Sequence, residues 1–155
     1  MPAREMPSIL AVEALSEAVC LLRLACTQVG RVATTIRATP AIFPVNYAVL
    51  DEDVVFRTGE GTKFDAALSR AVVAFEIDGS HEGGRGWSVL VIGRAREITD
   101  RATEARADSL GLQTWAPGER KHYIRIDTDI ISGRRVIAVD AVIAPSPASL
   151  AGAGS

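Results

Sequence analysis

Between Val54 and Phe64 the chain crowds together Arg57, Thr58, Gly59, Gly61, Thr62 and Lys63: paired cations and hydroxyls separated by glycines. An apolar run stops at Arg57-Thr58, a glycine-bearing turn follows, and Thr62-Lys63 opens a segment whose pattern predicts a short helix. Free N–H groups at a helix start, the positive end of its dipole and a compact ammonium all suit a phosphate group. The plainer reading of the same residues is a solvated turn capped by Thr62. The segment is not a Walker loop, because the Gly-Lys-Ser/Thr ending is missing. It is not a dinucleotide fingerprint either, since a hairpin and not a strand-helix-strand unit precedes it.

Other groupings do less. His81-Glu82 lacks the second histidine of a zinc protease helix and sits in a glycine-rich run. Asp78, Ser80 and His81 are too close in sequence to fold into a hydrolase triad, and no Gly-x-Ser-x-Gly occurs. Two histidines and two cysteines without ligand spacing give no metal site. Spacing therefore names no catalytic residue. Trp87-Ser88 and Trp115 remain as flat aromatics that could pack on a planar ligand or a partner subunit, although Trp87 also reads as a core aromatic. Arg94, Arg96, Arg134 and Arg135 read as surface or ion-paired residues.

Length and charge set the frame for these residues. At 155 residues the chain is read as a single domain able to bury a core without disulfides. A net charge of -2 and the lack of a basic run argue against nucleic acid. No apolar stretch reaches the ~20 residues that span a bilayer, and the N-terminus does not read as a signal peptide. Cys20 and Cys26 fall on different faces of one helical segment. They are read as free, buried thiols in a reducing, cytoplasmic setting.

Residues 1–14 are expected to be loose and residues 144–155 disordered, leaving 15–143 as the folded unit. Ser16 should cap a helix over 17–25, and β-branched content predicts a strand over 31–36. A break at Thr39-Pro40 leads into a strand over 41–49, with Pro44 at an edge or irregularity. Asp51–Asp53 should turn a hairpin into 54–58, and 62–69 should be helical. Strands follow over 71–78 and 87–98, the latter with Trp87, Val89, Val91, Gly93 and Ala95 on one face. A helix over 100–110 capped by Asp100 precedes strands at 122–127 and 135–140, with Ile131-Ser132-Gly133 as their turn. The total is a mainly β chain with a few helices. That pattern suits a small closed barrel better than a doubly wound sheet.

Several segments in this order resemble one family. They are Gly30-Arg31-Val32-Ala33-Thr34, Phe43-Pro44-Val45-Asn46-Tyr47, Val55-Phe56-Arg57-Thr58 with Gly61-Thr62-Lys63, Val73–Asp78, Gly86–Ala95 and Ile131–Arg135. Together they are similar to the pyridoxamine 5′-phosphate oxidase-like split barrels, especially short actinobacterial-type members, over residues 15–138. The resemblance implies a split β-barrel homodimer with FMN in a groove at the dimer interface. It implies that Val45, Asn46 and Tyr47 line the isoalloxazine, largely through backbone groups, while Arg57, Thr58, Thr62 and Lys63 hold the phosphate. Ser88, with Trp87 beside it, falls where relatives place a polar flavin contact. Thr62 stands in the position where the family motif usually has arginine, so the deazaflavin F420 is the alternative cofactor. A small conjugated substrate exchanging hydride with flavin N5 is the expected chemistry, with a non-catalytic carrier or sensor as the other reading.

Overall fold

The computed structural model describes residues 9–58, 68, 70–80, 85–113 and 122–139. Six strands close a barrel. They are β2 (Val29–Ile36), β3 (Thr39–Leu50), β4 (Asp53–Thr58), β5 (Val72–Ser80), β6 (Gly86–Glu97) and β7 (His122–Ile126). They run antiparallel in the order β6-β5-β2-β3-β4-β7, and β7 returns to β6. β6 is shared: residues 95–97 pair with β7, whereas residues 87–92 pair with β8 (Ile130–Val139). β1 (Ile9–Leu15) then flanks β8. Gly93 sits at this fork, where a Cβ would stand 1.6 Å from the Asp127 carbonyl oxygen. Only glycine lets the two sheets part there.

The alternation on β6 holds as the sequence suggests: Val89, Val91 and Ala95 are fully buried and Arg94 and Arg96 are outside. Phe56, Phe75, Ile77, Ile124 and Ile126 fill the same interior. Each such aromatic or aliphatic side chain contributes about 1.5–3 kcal/mol relative to staying exposed. α1 (Glu17–Cys26) begins at Ser16, whose hydroxyl accepts from the Val19 N–H. α2 (Arg101–Asp108) begins at Asp100, whose carboxylate accepts from the Thr103 N–H at 2.9 Å. α2 lies outside the barrel, where Ala107 joins Leu50, Val55, Ile98, Leu112 and Tyr123 in a second apolar cluster.

Several expectations change. Residues 9–14, within the segment expected to be loose, form a strand with Leu15 because β8 continues to Val139 and offers a full row of partners. Thr39-Pro40 is not a break. β2 and β3 form a hairpin turning on Arg37 and Ala38, both at positive φ. Residues 131–133 lie within β8 and not in a turn; the connection from β7 runs through 127–129. Cys20 is buried but Cys26 is exposed. Pro44 does lie on a free stretch: opposite β2 it faces Arg31, and β4 joins β3 only from Tyr47 onward. The helix expected over 62–69 falls outside the described residues except for Leu68, which is helical and fully buried.

Candidate functional site

β3 and β4 bring the first set of sequence-predicted residues together. Tyr47 pairs with Phe56, so Asn46 and Arg57, next along each strand, share the outward face. Val45 and Tyr47 point into the barrel and are buried. The Tyr47 hydroxyl donates to the Leu24 carbonyl at 2.7 Å, which ties β3 to the end of α1, and its N–H donates to Gln28. Burial pushes the Tyr47 phenol well above the ordinary tyrosine range. β3 thus presents one polar side chain to the outside here. The Asn46 amide donates to the Gln113 carbonyl at 3.4 Å.

Arg57 and Thr58 end β4 opposite Tyr123 and His122. Thr58 is 6% exposed. Its Oγ1 and the neighbouring Arg57 Nε are buried with no hydrogen-bond partner among the described residues. A buried polar atom left unpaired costs about 1–3 kcal/mol, so consecutive ones mark a place that fits an oxygen-rich ligand. On the outward face an anionic phosphate would accept from the Arg57 Nε–H. Tyr123 beside them donates to Asp108 at 2.6 Å. Burial first, and that hydrogen bond second, push its phenol up to about 12. On the inner face, His122 Nδ1 lies 2.7 Å from Glu97 Oε1. Thr62 and Lys63 lie outside the described residues.

Asn46 also lines a pocket of about 580 Å³ between the ends of the two helices, with Leu24, Thr27, Gln28, Leu112 and Gln113 among its walls. None of its described lining residues carries a charge. Its amides are what spacing did not reveal: Gln28 and Gln113 are far apart in sequence and meet only because α1 and α2 both end over β3.

Trp87 and Ser88 lie elsewhere, at the start of β6, which is separated from β4 by β5, β2 and β3 in one direction and by β7 in the other. They line a different pocket, with Val12, Arg134 and Arg135. The Trp87 ring rests on Gly79, where a Cβ would come within 2.6 Å of the indole. The Arg23 guanidinium lies 4.4 Å from the ring centroid. Arg96 pairs with Asp127 and Arg135 with Glu13, as surface arginines were expected to do. Trp115 and His81 fall outside the described residues.

Between these regions runs an open apolar face. Register aligns Ile130, Ile92, Ala74, Ala33 and Ile42 in one row across β8, β6, β5, β2 and β3. Its ends are 59% (Ile130) and 71% (Ile42) exposed. Exposed apolar rows of this kind are the surfaces that partners commonly cover. Among the described residues no helix is long and apolar enough to cross a membrane, and no acidic, histidine or cysteine group is arranged to hold a metal.

The family model described as pyridoxamine 5′-phosphate oxidase matches residues 16–135. An uncharacterized protein of Mycobacterium tuberculosis, Rv0080, is 37% identical over 121 residues, covering 74% of this chain and 79% of that protein. The solved structure of the FAD binding protein from Mycobacterium smegmatis is 39% identical, with a TM-score of 0.67. It covers 79% of this chain and 96% of that one. A putative pyridoxamine 5′-phosphate oxidase from Corynebacterium glutamicum is 32% identical, with a TM-score of 0.69, covering 83% and 96%.

Proposed function

The chain belongs to the pyridoxamine 5′-phosphate oxidase-like family of split barrels, and from that premise we propose that it is an FMN-binding oxidoreductase acting on a small conjugated substrate. The observation that carries this reading is the pair of unpartnered buried atoms at the end of β4, Arg57 Nε and Thr58 Oγ1. Similarity to the FAD binding protein of Mycobacterium smegmatis supports a flavin. When bound, the flavin supplies hydride exchange at N5, so the protein has to bind, orient and shield without a nucleophile of its own. Arg57 and Thr58, with Lys63, would hold the phosphate. Asn46 would set the ring edge beside the uncharged pocket, which suits a neutral substrate. Gln28 and Gln113 would fix that substrate through hydrogen bonds.

The active unit in this reading is a homodimer. The phosphate residues and Trp87-Ser88 line different parts of one barrel. A second copy packed on the open apolar row would carry its own Trp87 and Ser88 toward the first copy's β4. The test is the visible absorption spectrum of the purified protein, repeated with FMN, FAD and F420 added separately. FMN should give a bound-flavin spectrum, and Arg57→Ala and Lys63→Ala should each weaken retention by roughly tenfold or more, as loss of a charge-assisted contact does. A shift with F420 alone would replace the cofactor. A protein that binds none of the three would sink the oxidoreductase reading.

A further inference from the structure

The pocket of about 580 Å³ over β3 is bounded by the last residues of α1 and by the exit of α2. Two helix C-termini therefore face it, each carrying roughly half a negative charge. The cations that would ordinarily offset these ends are engaged elsewhere. Arg23, in the last turn of α1, stacks on Trp87. Arg106, in the last turn of α2, holds both Asp51 carboxylate oxygens at 2.9 Å. The exit of α2 caps its own carbonyls, with the Ser109 N–H donating to Ala105 and Ala107. α1 has no such wrap, because Thr27 leaves it in an extended conformation (φ -106, ψ 150). Ala25, which lines the pocket, thus keeps a carbonyl without a partner among the described residues.

The donors of β3 are meanwhile taken up inside the protein. The Tyr47 hydroxyl goes to the Leu24 carbonyl and the Tyr47 N–H to the Gln28 carbonyl. A carbonyl can only accept, so the Asn46 amide nitrogen must face Gln113 and Oδ1 is its open atom. Acceptors and negative helix ends without a cation disfavour an anion. A full positive charge would find no carboxylate among the described lining residues. We propose that this pocket takes a neutral ring bearing a carboxamide or lactam N–H, with Asn46 Oδ1 and the Ala25 carbonyl as its acceptors. The Gln28 and Gln113 side chains, which both donate and accept, meet the ligand's own carbonyl. Calling this ligand the substrate rests on the flavin reading above; its chemical class does not.

The test uses benzamide, benzoate and benzamidine, probes of one shape and three charges, titrated into the full-length chain by ligand-observed NMR with and without FMN. Saturable binding of benzamide is expected, with benzoate and benzamidine each weaker by roughly tenfold or more. Asn46→Leu, which removes the acceptor, should weaken benzamide by a similar factor. Gln28→Met, at an exposed position, should weaken it too and serves if Asn46→Leu does not fold. No saturable benzamide binding, equal or tighter binding of either charged probe, or unaltered binding in folded variants overturns the proposal. Displacement of benzamide by FMN would make the pocket the ring's own seat and overturn the substrate assignment. Benzamide binding by a chain that takes up no flavin would refute the flavin reading and leave the ligand class standing. Flavin uptake without a preference for benzamide would refute the ligand class alone.

Discussion

Gly133 lies directly against the Cys20 thiol: a Cβ on residue 133 would stand 2.6 Å from Cys20 Sγ. That contact seats α1 on β8, and α1 in turn carries Leu24 and Arg23 to their places over Tyr47 and Trp87. Gly133→Ala should therefore destabilise the fold by about 1–3 kcal/mol, the usual cost of overpacking a tight contact. Adding Cys20→Ala to it should recover part of the loss, because the clash is with the sulfur. Urea unfolding of the single and double variants measures this. Equal destabilisation in both would place the strain elsewhere.

The thiols should differ sharply in reactivity. Burial, and after it the charge of Glu17, raises the Cys20 thiol above its ordinary range. Cys26 is exposed at the end of the same helix. In the folded protein a thiol reagent should modify one cysteine quickly and the other only on unfolding. Mass spectrometry should find the fast label on Cys26; a fast label on Cys20 would contradict its burial.

Gly133 also shows where sequence reading fails. An Ile-Ser-Gly run followed by two arginines carries the signature of a turn, and nothing local reveals that its glycine answers to a helix more than a hundred residues earlier. The barrel itself was legible because period-2 patterning is local, as on β6. So were both helix caps, since Ser16 and Asp100 act on N–H groups three residues away. The β2–β3 hairpin was not, because Arg37-Ala38 lacks the Asn-Gly type of signal that positive φ calls for. Arg57 and Thr58 were legible as candidates, and the structure leaves Arg57 Nε and Thr58 Oγ1 unpaired among the described residues. Gln28 and Gln113 were not legible, since only tertiary packing brings them to a pocket.

That hairpin gives a direct test. Ala38 sits at φ 62. An alanine there costs about 1 kcal/mol or more relative to glycine. Ala38→Gly should therefore raise stability by roughly that amount, against the usual trend for glycine substitution. A lower melting midpoint in this variant would show that the turn is not held in the left-handed region.

Alkaline titration probes the site face. The phenols of Tyr47 and Tyr123 are both shifted up, by burial in each case first. A group whose folded pKa is raised contributes stability that is complete below its unfolded value, about 10 for tyrosine, and is lost as pH rises through the folded value. For Tyr123 that window closes at about 12. Phenolate absorbance should thus stay silent near pH ~10 while circular dichroism is native, and should then appear together with unfolding. Phenolate formation near ~10 in a fully folded protein would show these hydroxyls open to solvent.

In the proposed dimer the apolar row would complete the cofactor site. Ile42 is 71% exposed and anchors one end of the row, so Ile42→Glu removes little from the monomer's own core. On the proposed dimer interface it would bury a carboxylate without a partner, which costs several kcal/mol per site and appears twice in a two-fold assembly. Light scattering should then report half the native mass, with circular dichroism unchanged. If Trp87 and Ser88 reach the flavin from a second copy, flavin retention should fall in the same variant, while Arg57→Ala should lose flavin and keep the native mass. A monomer that still holds flavin as tightly would mean that one chain builds the whole site. An unchanged mass would remove the row from the interface.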